Sequence, residues 1–144
     1  MIRTLVRAFM YDVSVSRSFV AQHYLTVPDP GPEGDLHSHH YTLEVTVSAP
    51  ELDEYGYVVD IDDLSAAVDT AVEAYRDQTL NDCPAFEGLN PSLEHFTRIV
   101  ADRLLEDGQF STETATSIRI AMDEDDIARV GHERDLAGNE SRAE

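Results

Sequence analysis

The sequence has few of the residues that mark a secreted, membrane-spanning or thiolate-based protein. Its one cysteine, Cys83, excludes an internal disulfide framework and a metal site built from several thiolates. No apolar run approaches the ~20 residues of a membrane-spanning helix, and the N-terminal residues lack the apolar stretch and cleavage site of a signal peptide. These absences predict a cytoplasmic protein. Cys83 follows Asp82, and we interpret it as a small packing residue rather than a nucleophile.

Lysine is absent altogether. All ten basic residues are arginines, against 29 acidic residues, and the net charge is −19. A surface this acidic repels itself in dilute buffer, whereas molar salt shortens the Debye length to roughly 3 Å. The acidic residues run along the whole chain, which favours adaptation to a salt-rich cytosol over an ordinary acidic protein with a disordered tail. In both cases nucleic acid and anionic membranes are poor partners.

The length of 144 residues suits one domain with a real hydrophobic core. We place this domain at residues 11–130. Residues 1–10 carry two arginines among apolar residues and are interpreted as an N-terminal arm or a strand extension. Residues 131–144 are polar, which predicts a frayed C-terminal tail.

Polar and apolar residues alternate in three stretches, as in strands with one buried face. These stretches are residues 13–19, 42–48 and 117–122. A short fourth strand is predicted over residues 57–60, where it would form a hairpin with residues 42–48. Together the four strands predict an antiparallel sheet.

Two helical patterns lie between the predicted strand at residues 57–60 and the one at residues 117–122. Asp60 can cap a first helix, whose apolar face runs from Ile61 to Tyr75 with spacings of three and four. Ser92 can cap a second helix, which Gly108 ends. The order of elements predicts an α+β fold, in which both helices lie on one face of the antiparallel sheet.

The loop between the first two strands is rich in residues that break regular structure. Three prolines and two glycines occur within residues 27–34, and such a segment holds neither helix nor strand. The loop is therefore expected to carry Glu33 and Asp35 to the start of the next strand.

Three histidines are the sharpest chemical feature of the sequence. His37 and His39 occur in the strand pattern, so their side chains point to one side of the sheet and that of His40 to the other. A third imidazole, that of His23, is available upstream. Three histidines with one coordination position left open are typical of a catalytic zinc site.

Five stretches of the chain match one known family in order and in approximate spacing. They are Phe19–His23, Leu36–Tyr41, Gly56–Asp60, Asp77–Asp82 and Asn90–Glu94, and they cover most of residues 11–124. In these stretches the chain resembles the 6-pyruvoyltetrahydropterin synthase and 6-carboxytetrahydropterin synthase family. The resemblance implies the two-layer tunnelling fold, a homo-oligomer in which such units form a ring, and active sites between subunits.

The resemblance also implies a set of site residues. Zinc would be held by His23, His37 and His39, and it would polarise the side chain of a 7,8-dihydropterin triphosphate while nearby groups move protons and eliminate triphosphate. Asp77 matches the orienting carboxylate of the family's proton relay. Glu94, at the end of the last matching stretch, is assigned to substrate binding.

The chain departs from the family pattern at three positions. Glu33 stands where the catalytic cysteine usually stands; a carboxylate can also abstract a proton, and some branches of the family place a glutamate in this loop and cleave the dihydroneopterin side chain to a 6-hydroxymethyl pterin. Gln78 replaces the relay histidine and cannot titrate. Met122 replaces the pterin-anchoring glutamate, for which Glu124 on the same strand face could substitute. The open alternatives are a solvated loop acid for Glu33 and an exposed acidic turn for Glu124.

Two functions stay open at this point. One is a zinc-dependent pterin synthase or lyase acting on 7,8-dihydroneopterin triphosphate or a related dihydropterin, with Glu33 as its base. The alternative is a catalytically degenerate homologue that binds zinc and pterin without turnover. The intact histidines favour the enzyme, and convergence of Glu33 and Glu124 on the metal pocket would favour it further. A purely structural metal is disfavoured by the open coordination position.

Overall fold

Four strands and two helices form the described part of the chain. The computed structural model describes residues 9–107 and 113–136. The elements are β1 (Tyr11–His23), β2 (His37–Ala49), α1 (Ile61–Glu73), α2 (Leu93–Asp107), β3 (Ser117–Glu124) and β4 (Ala128–Asp135). Most of the N-terminal arm predicted over residues 1–10 lies outside the described residues.

The sheet has the spatial order β1-β2-β3-β4, and all neighbouring strands are antiparallel. Alternate residues of β2 point inward and are buried: Tyr41, Leu43, Val45, Val47 and Ala49. The residues between them face outward and are polar, as expected for a sheet covered on one side only. The four-stranded antiparallel sheet with two helices confirms the predicted fold class.

Both helices begin where their capping residues predict. The Asp60 carboxylate accepts the Asp62 amide N–H at 2.9 Å, and the Ser92 hydroxyl accepts the His95 amide N–H at 3.1 Å. Helix α1 packs over β1, and α2 packs over β3 and β4. Ile61 was expected on the buried face of α1, but it is mostly exposed in the first turn. Neither helix of the described segments is long and apolar enough to cross a membrane.

The predicted strand over residues 57–60 is wrong. The Asp53 carboxylate accepts the amide N–H groups of Tyr55 and Tyr57, which folds residues 53–57 into a tight turn. Both edges of β2 are already taken by β1 and β3, so β2 has no free edge for a hairpin. Val58 and Val59 are buried in the core without belonging to a strand.

The fourth strand of the sheet is instead β4, which corrects the predicted domain boundary at residue 130. Residues 131–135, expected as the start of a frayed tail, are paired with β3 in register, for example Gly131 with Ala121. The strand escaped prediction because Val130 is its one large aliphatic residue, and an edge strand rich in charge does not alternate clearly. Residues 137–144 of the predicted tail lie outside the described residues.

Candidate metal centre

Three histidine rings meet where β1 ends and β2 begins. His23 and His37 are paired across the two strands, and His39 is paired with Ala21. Because alternate residues share a face, all three rings lie on the inner side of the sheet. Their centroids are 4.7, 4.8 and 4.9 Å apart, and the ring planes are inclined to one another by 70° to 89°. His40, as expected, faces the other side and is exposed.

Each of the three rings donates its Nδ1–H to a fixed oxygen. His23 donates to the Pro91 carbonyl at 2.9 Å, and His37 donates to the Asp35 carbonyl at 2.7 Å. His39 donates to the carboxylate of Asp125 at 2.5 Å. With the proton on Nδ1, each Nε2 carries a free lone pair, which is the form in which histidine binds a metal.

The Nε2 atoms of the three histidines differ from their Nδ1 atoms in having no partner in the described structure. All three are buried and have no hydrogen-bond partner, which is costly for a nitrogen acceptor unless something binds there. Burial lowers the pKa of His23, which keeps that ring neutral, as a ligand must be. Three imidazoles whose Nδ1 atoms face oxygen acceptors and whose Nε2 atoms are left without partners fit a divalent metal such as zinc.

Two carboxylates flank the histidines. Glu33 Oε1 lies 3.6 Å from His37 Nε2, and Glu124 Oε2 lies 3.6 Å from His39 Nε2. The side chain of Glu33 is 55% exposed and that of Glu124 is 24% exposed, so Glu33 is the freer of the two to move. Burial raises the pKa of Glu124, an effect that the neighbouring His39 opposes. The loop that was expected to carry Glu33 does so, and it contains one turn of 3-10 helix, Gly31–Gly34, which the proline-rich pattern did not predict.

A cavity of about 380 Å³ opens beside the histidines. This volume lies within the range of small-molecule sites. Among the residues that line it are His23, Glu33, Glu94, Glu124 and Arg129. The structure therefore brings the predicted ligands together with Glu33, Glu94 and Glu124, although Glu94 lies at the exposed start of α2.

Asp77 lies outside this cavity, on the other side of β1. Its amide N–H donates to the Val20 carbonyl at 2.7 Å, and the Gln22 amide N–H donates to the Gln78 carbonyl at 2.9 Å. The Asp77 side chain is exposed at this edge of the sheet. Met122 is fully buried in the core and paired with Leu43, so it presents no polar group to the cavity.

Sequence reasoning missed Asp125, which holds His39, and Arg129, which lines the cavity. The His40 amide N–H and the His39 ring hold the pKa of Asp125 below its usual range. The Arg129 guanidinium pairs with Asp123 and with Glu44, which lies on the outer face of the sheet. Only the register of β3 and β4 could have revealed them, because Asp125 occurs within a run of four acidic residues and Arg129 lies in the unpredicted strand.

Comparisons with known proteins agree with this fold. No curated protein matches the chain in sequence. The structure is similar to the 6-pyruvoyl tetrahydropterin synthase of Caenorhabditis elegans, with a TM-score of 0.74 and 15% identity over 90% of this chain and 99% of that one. The Plasmodium falciparum enzyme of the same name gives a TM-score of 0.72 and 16% identity over 88% and 99% of the two chains. These likenesses show the fold.

The sequence match is what shows the family. The model of the family described as 6-pyruvoyl tetrahydropterin synthase matches residues 12–133, which is most of the chain. That range contains all three histidines and both flanking carboxylates, and it extends into β4. The chain belongs to the 6-pyruvoyl tetrahydropterin synthase family.

Proposed function

We propose that this protein is a zinc-dependent pterin synthase or lyase that acts on 7,8-dihydroneopterin triphosphate or a related dihydropterin. His23, His37 and His39 are the proposed metal ligands, and Glu33 is the proposed base. Glu124 and the neighbouring Glu94 are proposed to bind the substrate. The acidic, lysine-free composition supports a salt-rich cytoplasm as its setting.

The observation that best supports this proposal is that both carboxylates converge on the three histidines. Glu33 and Glu124 each lie 3.6 Å from a histidine Nε2, on opposite members of the pair His37 and His39. Both carboxylates lie beside a histidine Nε2 atom, although the Glu33 side chain is 55% exposed and that of Glu124 is 24% exposed. Proton transfer by a positioned carboxylate requires this proximity to the reacting atoms.

A glutamate base has a parallel among the similar structures. The Plasmodium vivax 6-pyruvoyltetrahydropterin synthase has a structure in which a glutamate described as a catalytic residue is replaced by cysteine, and its identity to this chain is 14% over 89% of it and 99% of that chain, with a TM-score of 0.72. In another structure of that enzyme the same residue is replaced by alanine. A glutamate at the catalytic position supports Glu33 in the same role here.

Each group of the proposed site would have a separate chemical role. A bound zinc ion supplies Lewis acidity toward a substrate oxygen. Glu33, exposed at the rim, would take the proton from the carbon next to that oxygen, and its freedom to move suits a group that must reach the substrate. Glu124 would accept the ring N–H groups of the pterin in place of the glutamate that Met122 replaces. His23 is the most buried of the three histidines, so its side of the site is the least accessible to water.

Assembly into a ring is part of the proposal, because Asp77 lies outside the cavity of its own chain. In the described part of the chain β1 and β4 are the two edge strands of the sheet. Edge strands present unpaired N–H and C=O groups to a neighbouring sheet. On β1, residues 77–79 of the same chain already pair with Val20 and Gln22, so a neighbouring sheet would pair with the part of the strand before Val20. A neighbour docked there would lie next to the exposed Asp77, which we propose it brings into an intersubunit site. Light scattering in molar salt tests this: the mass of several chains supports the ring, and the mass of one chain contradicts it.

A degenerate zinc- and pterin-binding homologue is the second candidate. The burial of Met122 favours it, since the usual pterin anchor is absent and the methionine cannot turn into the cavity without leaving the core. Gln78 adds to this, because an amide cannot relay protons near neutral pH. This candidate predicts zinc and pterin binding without product.

The decisive experiment is incubation of the zinc-loaded protein with 7,8-dihydroneopterin triphosphate in molar salt, followed by identification of the pterin by chromatography and mass spectrometry. A 6-pyruvoyl, 6-carboxy or 6-hydroxymethyl pterin supports the enzyme and identifies its branch. Glu33→Gln should lower turnover by roughly 10²–10⁴-fold while zinc stays bound. Glu51→Gln, the same charge change at an exposed loop position, should leave turnover unchanged. Stoichiometric pterin binding with no product would establish the degenerate homologue instead.

A further inference from the structure

We infer that Asp125 is a positioning residue that fixes the tautomer and the orientation of His39 as a metal ligand. Of the three rings, His39 alone donates its Nδ1–H to a carboxylate; His23 and His37 donate to backbone carbonyls. Hydrogen bonds to an ionised acceptor are about twice as strong as those between neutral groups. The inference rests on the metal site of the proposed function, and it assigns a role to a residue outside the ligand set.

Asp125 is held in place by the backbone of β2. Its Oδ1 accepts the His40 amide N–H at 2.9 Å, and its own amide N–H donates to the His40 carbonyl at 2.7 Å. These two bonds leave Oδ2 directed at His39. The carboxylate is thus anchored at one oxygen and presented to the ring with the other.

The turn between β3 and β4 makes this anchoring possible. Asp125 and Asp126 have φ angles of 56° and 58°, and the Ile127 amide N–H donates to the Glu124 carbonyl at 3.0 Å. Two consecutive residues with positive φ are typical of the tightest hairpin turns, which suit aspartate and asparagine. The turn therefore positions a carboxylate one residue beyond Glu124 and on the ligand side of β2.

An amide at this position could not serve both partners. The carboxylate accepts two hydrogen bonds, from the His40 amide and from the His39 ring, whereas an asparagine side chain has one acceptor oxygen and one donor NH₂. If that oxygen stays on the His40 amide, the NH₂ faces His39 Nδ1 and favours the tautomer with its proton on Nε2. That tautomer has no lone pair for a metal on Nε2.

The test compares Asp125→Asn with Asp126→Asn in the full-length protein. Asparagine tolerates positive φ, so neither change strains the turn. The two variants have the same charge, and in the described structure Asp126 makes no hydrogen bond to a histidine. The first readout is the ¹⁵N shifts of the His39 ring in the metal-free protein, which report the tautomer directly. The second is the zinc dissociation constant, measured by competition with a chromophoric chelator at fixed salt.

We expect Asp125→Asn to move the His39 proton toward Nε2 and to weaken zinc binding by roughly 10–100-fold, the usual effect of losing such an outer partner. Asp126→Asn should match the wild type in both readouts. An unchanged His39 tautomer in Asp125→Asn, or zinc binding as tight as in the wild type, overturns the inference. If the wild type itself binds no zinc, the proposed metal site fails, and the tautomer comparison alone then decides the role of Asp125.

Discussion

His39 and His40 are neighbours in sequence, yet their side chains lie on opposite faces of β2. Only His39 faces the other two rings. We predict that His39→Ala weakens zinc binding by more than the roughly 10–100-fold that the loss of an outer hydrogen-bond partner costs, whereas His40→Ala leaves it unchanged. The bond from His40 to Asp125 uses the backbone amide and survives the second substitution. Zinc content after dialysis against a weak chelator measures the effect of both substitutions. An equal loss of zinc in the two variants would contradict the assignment of His39, and not His40, as a metal ligand.

Cys83 offers a second test at this scale. Burial raises the pKa of its thiol, and the neighbouring Asp82 raises it further. A raised thiol pKa means a smaller thiolate fraction at a given pH, and the thiolate is the reacting form. At pH 8.5 we therefore expect alkylation by iodoacetamide to be slower in the folded protein than in the unfolded chain. Asp82→Asn should speed the folded reaction only modestly, because burial is the larger cause. A folded rate equal to the unfolded one would show a reactive thiol instead.

The residues of the site differ in how far the sequence could predict them. Strand alternation is enough to place His37 and His39 on one face and to put Glu124 on the face of Met122. The role of Asp125 cannot be predicted from strand alternation, because its carboxylate reaches His39 through a turn with two residues of positive φ. No pattern of polar and apolar residues specifies that conformation. Carboxylates that act through backbone anchoring are therefore visible only in the folded structure.

At the scale of elements, long amphipathic segments were predictable and short or charged ones were not. Helix α1 and strand β2 bury one regular face each, so their periodicity identifies them. Strand β4 lies at the edge of the sheet, where it carries four charged residues among eight besides a histidine and needs no continuous apolar face. The valines of residues 57–60 suggested a strand, but they are buried in the core without belonging to one. Local pattern cannot separate burial in a sheet from burial in a loop.

The N-cap of α1 gives an element-scale prediction. Asp60 satisfies the Asp62 amide N–H at the start of the helix, and its charge is favourable at the positive end of the helix dipole. Asp60→Ala should lower the free energy of unfolding by about 1 kcal/mol, which corresponds to a fall in Tm of roughly 2–4 °C for a protein of this size. Asp60→Asn keeps the capping oxygen and should cost only a few tenths of a kcal/mol. Thermal unfolding followed by circular dichroism measures both, and an equal loss in the two variants would assign the effect to charge rather than to capping.

For the whole molecule, charge is the dominant feature. Each of the seven arginines in the described segments, Arg17, Arg76, Arg98, Arg103, Arg119, Arg129 and Arg134, lies within 4.0 Å of a carboxylate. The chain nevertheless keeps a net charge of −19, because its 29 acidic residues outnumber its ten arginines. Salt weakens the attraction within the ion pairs and also the repulsion among the excess acids. Exposed ion pairs contribute only about 0–1 kcal/mol each. The repulsion among the excess acidic residues is therefore expected to determine whether salt raises or lowers Tm.

We accordingly predict that Tm rises as KCl increases from 0.1 M to 2 M, because repulsion in the folded state is screened within a few ångströms at the higher concentration. A rise of at least ~2–4 °C would correspond to about 1 kcal/mol. Two matched variants separate screening from other effects of salt. Glu54→Gln removes an exposed acid without an arginine partner in the described structure and should raise Tm in 0.1 M KCl. Asp69→Asn removes the partner of Arg17 and should lower it, since that arginine then loses its contact at 2.6 Å. Both differences should shrink in 2 M KCl, and a Tm that falls with salt would show that ion pairs outweigh repulsion.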